Sequence, residues 1–279
     1  MYKEYLDFAI SIAMEAKKIN EKYFDKAMES GYKNDKTIVT VADKEINDYL
    51  IQRVKEVYPT HAVDGEEEKF GDSSYKWVCD PVDGTAMFAR GIPTSCFSLA
   101  LVIDGVSAVG VVYDTFTDNL YTAIKGEGAY RNGSRINVSD IKLDDMRSVC
   151  HYDMWPSSKY NIFDVIKELG KKSYFVSIGS IIRASVAVAS GEFVACIFPG
   201  TVGKNCDIAA VKVIVEEAGG KVTNFFNEED RYDKDINGAV ISNGVVHEEI
   251  INELVKSGNI YNDVSQIWYL KFLMIKCFL

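Results

Sequence analysis

The chain lacks the basic excess that nucleic-acid binding requires: 31 Lys and Arg stand against 41 Asp and Glu, a net charge of −10. Its six cysteines (Cys79, Cys96, Cys150, Cys196, Cys206 and Cys277) show no paired metal-binding spacing, and several fall inside apolar strands. They are read as reduced, buried thiols of a cytoplasmic protein. Only three histidines occur, His61, His151 and His247. They are scattered and belong to no motif, which points to surface or satisfied core positions rather than to catalysis. No basic-then-apolar signal pattern opens the sequence, and no internal repeat or low-complexity linker divides it. A membrane span needs ~20 apolar residues, and the strongly apolar stretch Ile267 to Leu279 is shorter than that. That tail could serve as an oligomer contact or a peripheral membrane segment, or be a translated artefact, and no functional role is assigned to it.

What is present is the composition of a globular protein, 47% apolar and 26% charged, long enough at 279 residues to bury a large core. Apolar residues recur at helical spacing from residue 2 to about 28 (Phe8, Ile12, Ile19) and predict a first helix. The polar run Glu29 to Thr37 reads as a mobile loop, and a second helix is expected from Asp43 to Val57, stopped before Pro59. Strand-like runs follow at 76–79, 97–103, 107–113 and 120–123, with Asp104-Gly105 as a hairpin signal between two of them. Neighbouring strands of this kind suggest an antiparallel meander. After Asn137 the pattern alternates: helices over 162–169, 181–189, 207–218 and 246–255, and strands at 174–176, 193–197, 221–223 and 239–241. That is an α/β arrangement. The division expected is an N-terminal α+β half over 1–138, a C-terminal α/β half over 139–260, and the tail 261–279.

The most informative segment is Trp77-Val78-Cys79-Asp80-Pro81-Val82-Asp83-Gly84-Thr85. An apolar run stops at Asp80, Pro81 fixes the backbone, and Asp83-Gly84-Thr85 follows as a tight turn. Asp-Pro-x-Asp-Gly is also ordinary turn chemistry. Two carboxylates delivered at a strand end beside free N–H groups are equally the donors that hard divalent cations and phosphate require. Further acids tip the balance: Glu66, Glu67 and Glu68 lie upstream, and Asp207 opens a helical pattern that stops at Gly219. Singly, each has a bland explanation, a cap or a solvated face; together they describe a metal cluster. Gly126-Glu127-Gly128 has no strand-to-helix context and reads as a turn, and Glu216-Glu217 reads as a helix face.

Five ordered segments resemble the inositol monophosphatase family, the lithium-sensitive, magnesium-dependent phosphatases related to fructose-1,6-bisphosphatase. They are Val39-Thr40-Val41-Ala42-Asp43, Gly65-Glu66-Glu67, Asp80 to Thr85, Gly126 to Gly133, and Asp207-Ile208-Ala209-Ala210 through Gly220. The resemblance covers roughly residues 5 to 257. It implies a mixed α/β (α+β) layered αβαβα sandwich, with the antiparallel meander first and the α/β half second. It implies two or three Mg2+ ions: the first held by Glu66, Asp80 and the Val82 carbonyl, the second bridged by Asp80 and completed by Asp83 and Asp207, and a weaker third at Glu66. Thr85 and Asp43 would orient and deprotonate the attacking water, and the backbone N–H groups of Gly84 and Thr85 would cradle the phosphate. Gly179 and Ser180 would meet ring hydroxyls of the substrate. The implied reaction is hydrolysis of a phosphate monoester of a small polyol or sugar without a covalent intermediate. The implied partner is a small phosphorylated substrate, and family members commonly form homodimers.

The haloacid dehalogenase phosphatases carry a superficially similar Asp-x-Asp-Gly-Thr, but there the two acids are two apart and share one side of the backbone. Here the spacing is three, and Asp43 and Glu66 have no place in that scheme. This chain also departs from the family at Gly200, where inositol-preferring members carry a glutamate, at Cys206 in place of Trp, and at Met87 in place of Asn. Arg183 could pair with Glu192 or reach into the site. Lys204 is expected as an exposed loop lysine, with a second anionic group of the substrate as its alternative partner. Fructose 1,6-bisphosphate, histidinol phosphate and 3′-phosphoadenosine 5′-phosphate remain alternative substrates, and a non-catalytic binding protein on the same fold remains the alternative of another class.

Overall fold

A computed structural model describes residues 2–24, 30–32, 38–154, 158–200 and 205–257. The apolar tail and Lys204 lie outside them. The N-terminal part runs α1 (Lys3–Phe24), β1 (Ser30–Tyr32), β2 (Ile38–Thr40), α2 (Val41–Val57), β3 (Ala62–Gly65), β4 (Lys69–Phe70), β5 (Tyr75–Asp83) and α3 (Thr85–Phe88). Five strands follow: β6 (Cys96–Ile103), β7 (Val106–Asp114), β8 (Asn119–Ile124), β9 (Gly128–Arg131) and β10 (Ser134–Arg135). The rest is β11 (Val149–Tyr152), α4 (Phe163–Leu169), β12 (Tyr174–Val176), α5 (Ile181–Ala189), β13 (Ala195–Phe198), α6 (Asn205–Glu217), β14 (Lys221–Thr223), β15 (Ala239–Ser242) and α7 (His247–Lys256).

The meander expected from the sequence is an eight-stranded sheet in the order β10-β9-β8-β7-β6-β5-β3-β4, with β5 through β10 paired antiparallel in succession. Only β3 joins β5 in parallel. A second sheet has the order β12-β11-β13-β15-β14, parallel among its first three strands and antiparallel beyond. Period-two alternation assigns the faces of the first sheet. Trp77, Leu99, Leu101 and Val111 meet Phe8, Ile12, Ile46 and Leu50 of α1 and α2. Val78, Ala100, Val102 and Val112 meet α5 and α6 on the other side, and the same cluster reaches Cys196 and Ile241 of the second sheet. α4 and α7 cover that sheet's far face through Val165, Leu169, Ile250 and Leu254. The layers are α, β, α, β, α.

Differences from the sequence expectations are local. The stretch Glu29 to Thr37 contributes a strand, because Ser30–Tyr32 pairs antiparallel with Ile38–Thr40, a run of β-branched residues suited to pairing; residues 33–37 lie outside those described. α1 is described over Lys3–Phe24, and its expected continuation to about residue 28 lies outside the described residues. The strands β3, β4, β9, β10 and β11 are additions to those expected, and β3 is buried at every position, which removes the alternation that marks a strand.

Candidate active site

β5 pairs with β6 in regular register to Asp80, opposite Ser98, then shifts before Asp83, opposite Cys96. Pro81 cannot donate to the ladder, so a bulge forms there and turns the strand end. Asp80 folds back to accept the Val82 N–H at 3.0 Å. Gly84 has φ 78°, and a Cβ at this position would lie 2.6 Å from the Gly179 carbonyl oxygen, so only glycine fits. Its carbonyl accepts the N–H groups of Met87 and Phe88, starting the short turn α3. The Thr85 hydroxyl donates to the Val82 carbonyl at 2.8 Å and lies 3.5 Å from Asp43 Oδ1.

Asp43 reaches the site from the first turn of α2. Its Oδ2 accepts the N–H and the hydroxyl of Thr40, the N-cap, at 2.8 and 2.5 Å, which holds the carboxylate against the helix start. Burial pushes its pKa up to about 7, helped by the nearby charges of Glu66 and Glu67. Asp43, Glu66 and Glu67 each present an oxygen within 4.8 Å of the others. Glu67 was read as part of the acidic run of a metal cluster but left out of the ligand set that the family resemblance implies; the structure places it beside Asp43 and Glu66. The Glu66 N–H donates to the Cys79 carbonyl, and the Gly65 N–H donates to the Glu68 carbonyl, which ties the acidic turn to β5.

Asp207 comes from the other half of the chain, in the first turn of α6, which begins at Asn205. It is therefore a first-turn residue and not the N-cap. Asp80, Cys206 and Asp207 form a second group with ligand atoms within 4.8 Å of one another, and all three are buried. Asp83 lies beside them, its carboxyl pushed well above the usual range by burial first and by the charge of Asp207 next. Two donors partly offset this: Ile182 N–H reaches Asp83 Oδ2 at 2.8 Å, and the Ser180 hydroxyl donates to the same oxygen. Ser180 also caps α5, accepting the Arg183 N–H at 3.0 Å. Its hydroxyl is thus engaged with a site acid and a helix start in this structure.

Successive contacts link the expected site residues: Thr85 to Asp43 and Val82, Gly84 to Gly179, Asp83 to Ser180, Asp80 to Asp207, and the Glu66 N–H to the Cys79 carbonyl next to Asp80. Met87 packs against Gly179, where an added Cβ would lie 2.6 Å from Met87 Cγ. Arg183 points away, pairing with Asp114 at 2.7 Å and lying 3.8 Å from Glu192. Glu217 does more than face solvent: its carboxylate accepts the N–H groups of Gly126 and Gly128 at 2.6 and 2.7 Å and holds the turn between β8 and β9. All three histidines are buried. His61 stacks between Tyr58 and Tyr75, and His247 is hydrogen-bonded through both ring nitrogens to Ser242 and Thr223. Among the described residues no cysteine forms a disulfide, and all five are buried. Among the described residues no helix is long and apolar enough to cross a membrane.

Buried carboxylates on a bulged strand end, a tight acidic turn and a helix start form a mainly oxygen donor set, which suits hard divalent cations and thereby phosphate. The fold and site define a metal-dependent phosphatase class. A family model described as the inositol monophosphatase family matches residues 1–259. Inositol monophosphatase 1 of Solanum lycopersicum is 37% identical over 143 residues, 49% of this chain and 52% of that protein, so this match spans about half its length. The fructose-1,6-bisphosphatase/inositol-1-monophosphatase of Thermotoga maritima is 31% identical over 227 residues, 79% of this chain and 85% of that protein. A solved inositol monophosphatase structure from Thermotoga maritima superposes with a TM-score of 0.81 at 27% identity, covering 91% of this chain and 97% of that one. The chain belongs to the inositol monophosphatase family, whose members hydrolyse phosphate monoesters with the help of metal ions.

Proposed function

We propose that this protein hydrolyses a phosphate monoester of a small polyol or sugar, using Mg2+ held by Glu66, Asp80, the Val82 carbonyl, Asp83 and Asp207. The observation that carries this function is a pair of acid clusters beside one strand end: Asp43 with the half-buried Glu66 and Glu67, and the buried Asp80, Cys206 and Asp207, the last two from the other half of the chain, with Thr85 fixed between Asp43 and the Val82 carbonyl. Bound Mg2+ supplies charge neutralisation at the phosphoryl oxygens and acidifies water near neutral pH. Thr85 orients the attacking water, its hydroxyl being fixed between Val82 and Asp43. Asp43, with its pKa near 7, is matched to accepting that water's proton at neutral pH. The N–H groups of Gly84 and Thr85 bind the phosphate. Ser180 and the Ile182 N–H hold Asp83 in place, so the 179–182 segment supports the metal site as well as facing substrate.

An inositol phosphate is the substrate favoured within this class. The dual name of the Thermotoga relative makes fructose 1,6-bisphosphate the first alternative, with histidinol phosphate and 3′-phosphoadenosine 5′-phosphate behind it. Lithium should inhibit by competing for a metal position. The test is phosphate release from these four esters with Mg2+, with EDTA, and in Asp83→Asn. Turnover of one ester should require Mg2+. It should fall in Asp83→Asn by more than the roughly 100-fold typical of losing an outer-shell partner. Mg2+ binding by calorimetry without turnover of any ester would favour a binding protein on this fold, and no Mg2+ binding at all would overturn the proposal.

A further inference from the structure

In the second sheet β11 lies between its parallel neighbours β12 and β13. The chain leaves β11 to build β12 on one side, then crosses back to build β13 on the other. Open α/β sheets bind ligands in the crevice at the carboxyl ends of the strands where successive connections diverge in this way. The residue that follows β11, at the mouth of this crevice, is Asp153. Its N–H donates to the Ile197 carbonyl of β13 at 3.2 Å, and the residue is almost wholly buried, at 4% exposure. A carboxylate is rarely buried without partners or a function. Among the described residues just beyond the carboxyl ends of these three strands, Asp153 is the only acid; Gly200, beyond β13, offers no side chain.

The surroundings of Asp153 connect it to the site. The Ser177 hydroxyl lies 3.4 Å from Asp153 Oδ1, and His151 Nε2 lies 3.4 Å from the same oxygen. His151 Nδ1 accepts the Ile178 N–H at 3.4 Å, and its Nε2, which makes no hydrogen bond among the described residues, lies on the side of Asp153. The segment 177–180 is thus fastened to Asp153 through Ser177 and to Asp83 through Ser180. The two described contacts of the Asp153 carboxylate fall on Oδ1, which leaves Oδ2 for a ligand.

We propose that Asp153 is a specificity-determining carboxylate that accepts hydrogen bonds from the hydroxyls of a polyol phosphate whose phosphoryl group sits at Asp83 and Thr85, resting on the phosphatase function proposed above. An acid here favours a neutral, hydroxylated body and repels a second anionic group in the same crevice.

The test compares kcat/KM for inositol 1-phosphate with that for p-nitrophenyl phosphate, which has no hydroxyls to recognise, in the full chain with Mg2+. In Asp153→Asn the ratio of the two should fall by about 10- to 100-fold, the effect of weakening a hydrogen bond to a charged acceptor, with the change lying mainly in KM for the inositol ester. An unchanged ratio, with both activities still measurable, would overturn the inference and leave Asp153 as a support for the 177–180 segment. Should Asp153→Asn lose both activities, Asp153→Glu decides. Recovery on p-nitrophenyl phosphate without recovery on the inositol ester supports the inference, and joint recovery or joint loss overturns it. Wild-type turnover of p-nitrophenyl phosphate but of no polyol phosphate would overturn it while sparing the phosphatase. Turnover of neither would overturn both.

Discussion

At the scale of single residues, Asp43 combines a role in chemistry with a cost in stability. It is fully buried, and desolvation raises its pKa from 3.8 to about 7. The folded protein therefore holds the Asp43 proton more tightly than the unfolded chain does. For a raised carboxylate the associated stability is present at low pH and is lost as pH rises from about 4 to about 7. At ~1.36 kcal/mol per unit, that gap bounds the effect at roughly 4 kcal/mol. In EDTA, urea unfolding should show the protein losing stability over this window, and Asp43→Asn should flatten the loss. Mg2+ should raise the melting temperature more at pH 8 than at pH 5, because the cation offsets charges that appear only as the acids ionise. The same variant should lower kcat by at least about 100-fold, as expected for removal of a general base. A pH-independent stability in EDTA would show that Asp43 is not held protonated.

At the scale of elements, α6 does the most to bring the site together. From Asn205 to Val215 every residue is buried, as a helix between two sheets must be. It carries Asp207 at one end and Glu217 at the other, so the helix that fills the core also positions a site acid. Its close approach to the first sheet depends on Gly110 in β7: a Cβ there would lie 2.6 Å from the Ala210 carbonyl oxygen and 2.6 Å from Val213. A backbone carbonyl cannot step aside as a side-chain tip can. Gly110→Val should therefore destabilise by at least the ~1–3 kcal/mol of ordinary overpacking. It should also weaken Mg2+ binding by shifting Asp207. Thermal melting and calorimetry check both, and a Gly110→Val protein with wild-type melting and metal affinity would contradict this packing. The main helices and long strands were legible in the sequence because each has many residues over which a period can be counted. β3 and β11, which precede Glu66 and Asp153, were not read, although equally short β12, β14 and β15 were; β3 is buried at every position and so lacks the alternation that marks a strand. Asp207 was legible as a residue at a helix start; that its neighbour Cys206 would place sulfur among site carboxylates was not, because nothing in local spacing says which side of a helix start faces Asp80.

At the scale of the whole molecule, the division at residue 138 separates two sheets but not two cores. Val78, Ala100 and Val112 of the first sheet are covered by Ile182, Ile208 and Ile214 from the second half of the chain. A fragment ending at residue 138 would expose that apolar face and lack Asp207. It should therefore fail to fold alone, and the full chain should unfold in one transition in which calorimetric and van't Hoff enthalpies agree. Two separated transitions, or a folded 1–138 fragment, would mean that the halves are independent domains.

By itself the sequence determined the period-two and helical patterns that decide layer order, the Pro81 and Gly84 that shape the strand end, and the identity of the acids, because these depend on neighbours within a few residues. Only the tertiary structure decided which ligand groups lie together: Asp43, Glu66 and Glu67 in one cluster, and Asp80 and Asp207 with the Cys206 thiol in another. It also decided that Ser180 would hold Asp83 from 97 positions away, that Asp153 would stand between diverging strands, and that burial would raise the Asp43 pKa. These properties arise from desolvation and from charge at short range, and neither exists until remote segments of the chain are packed together.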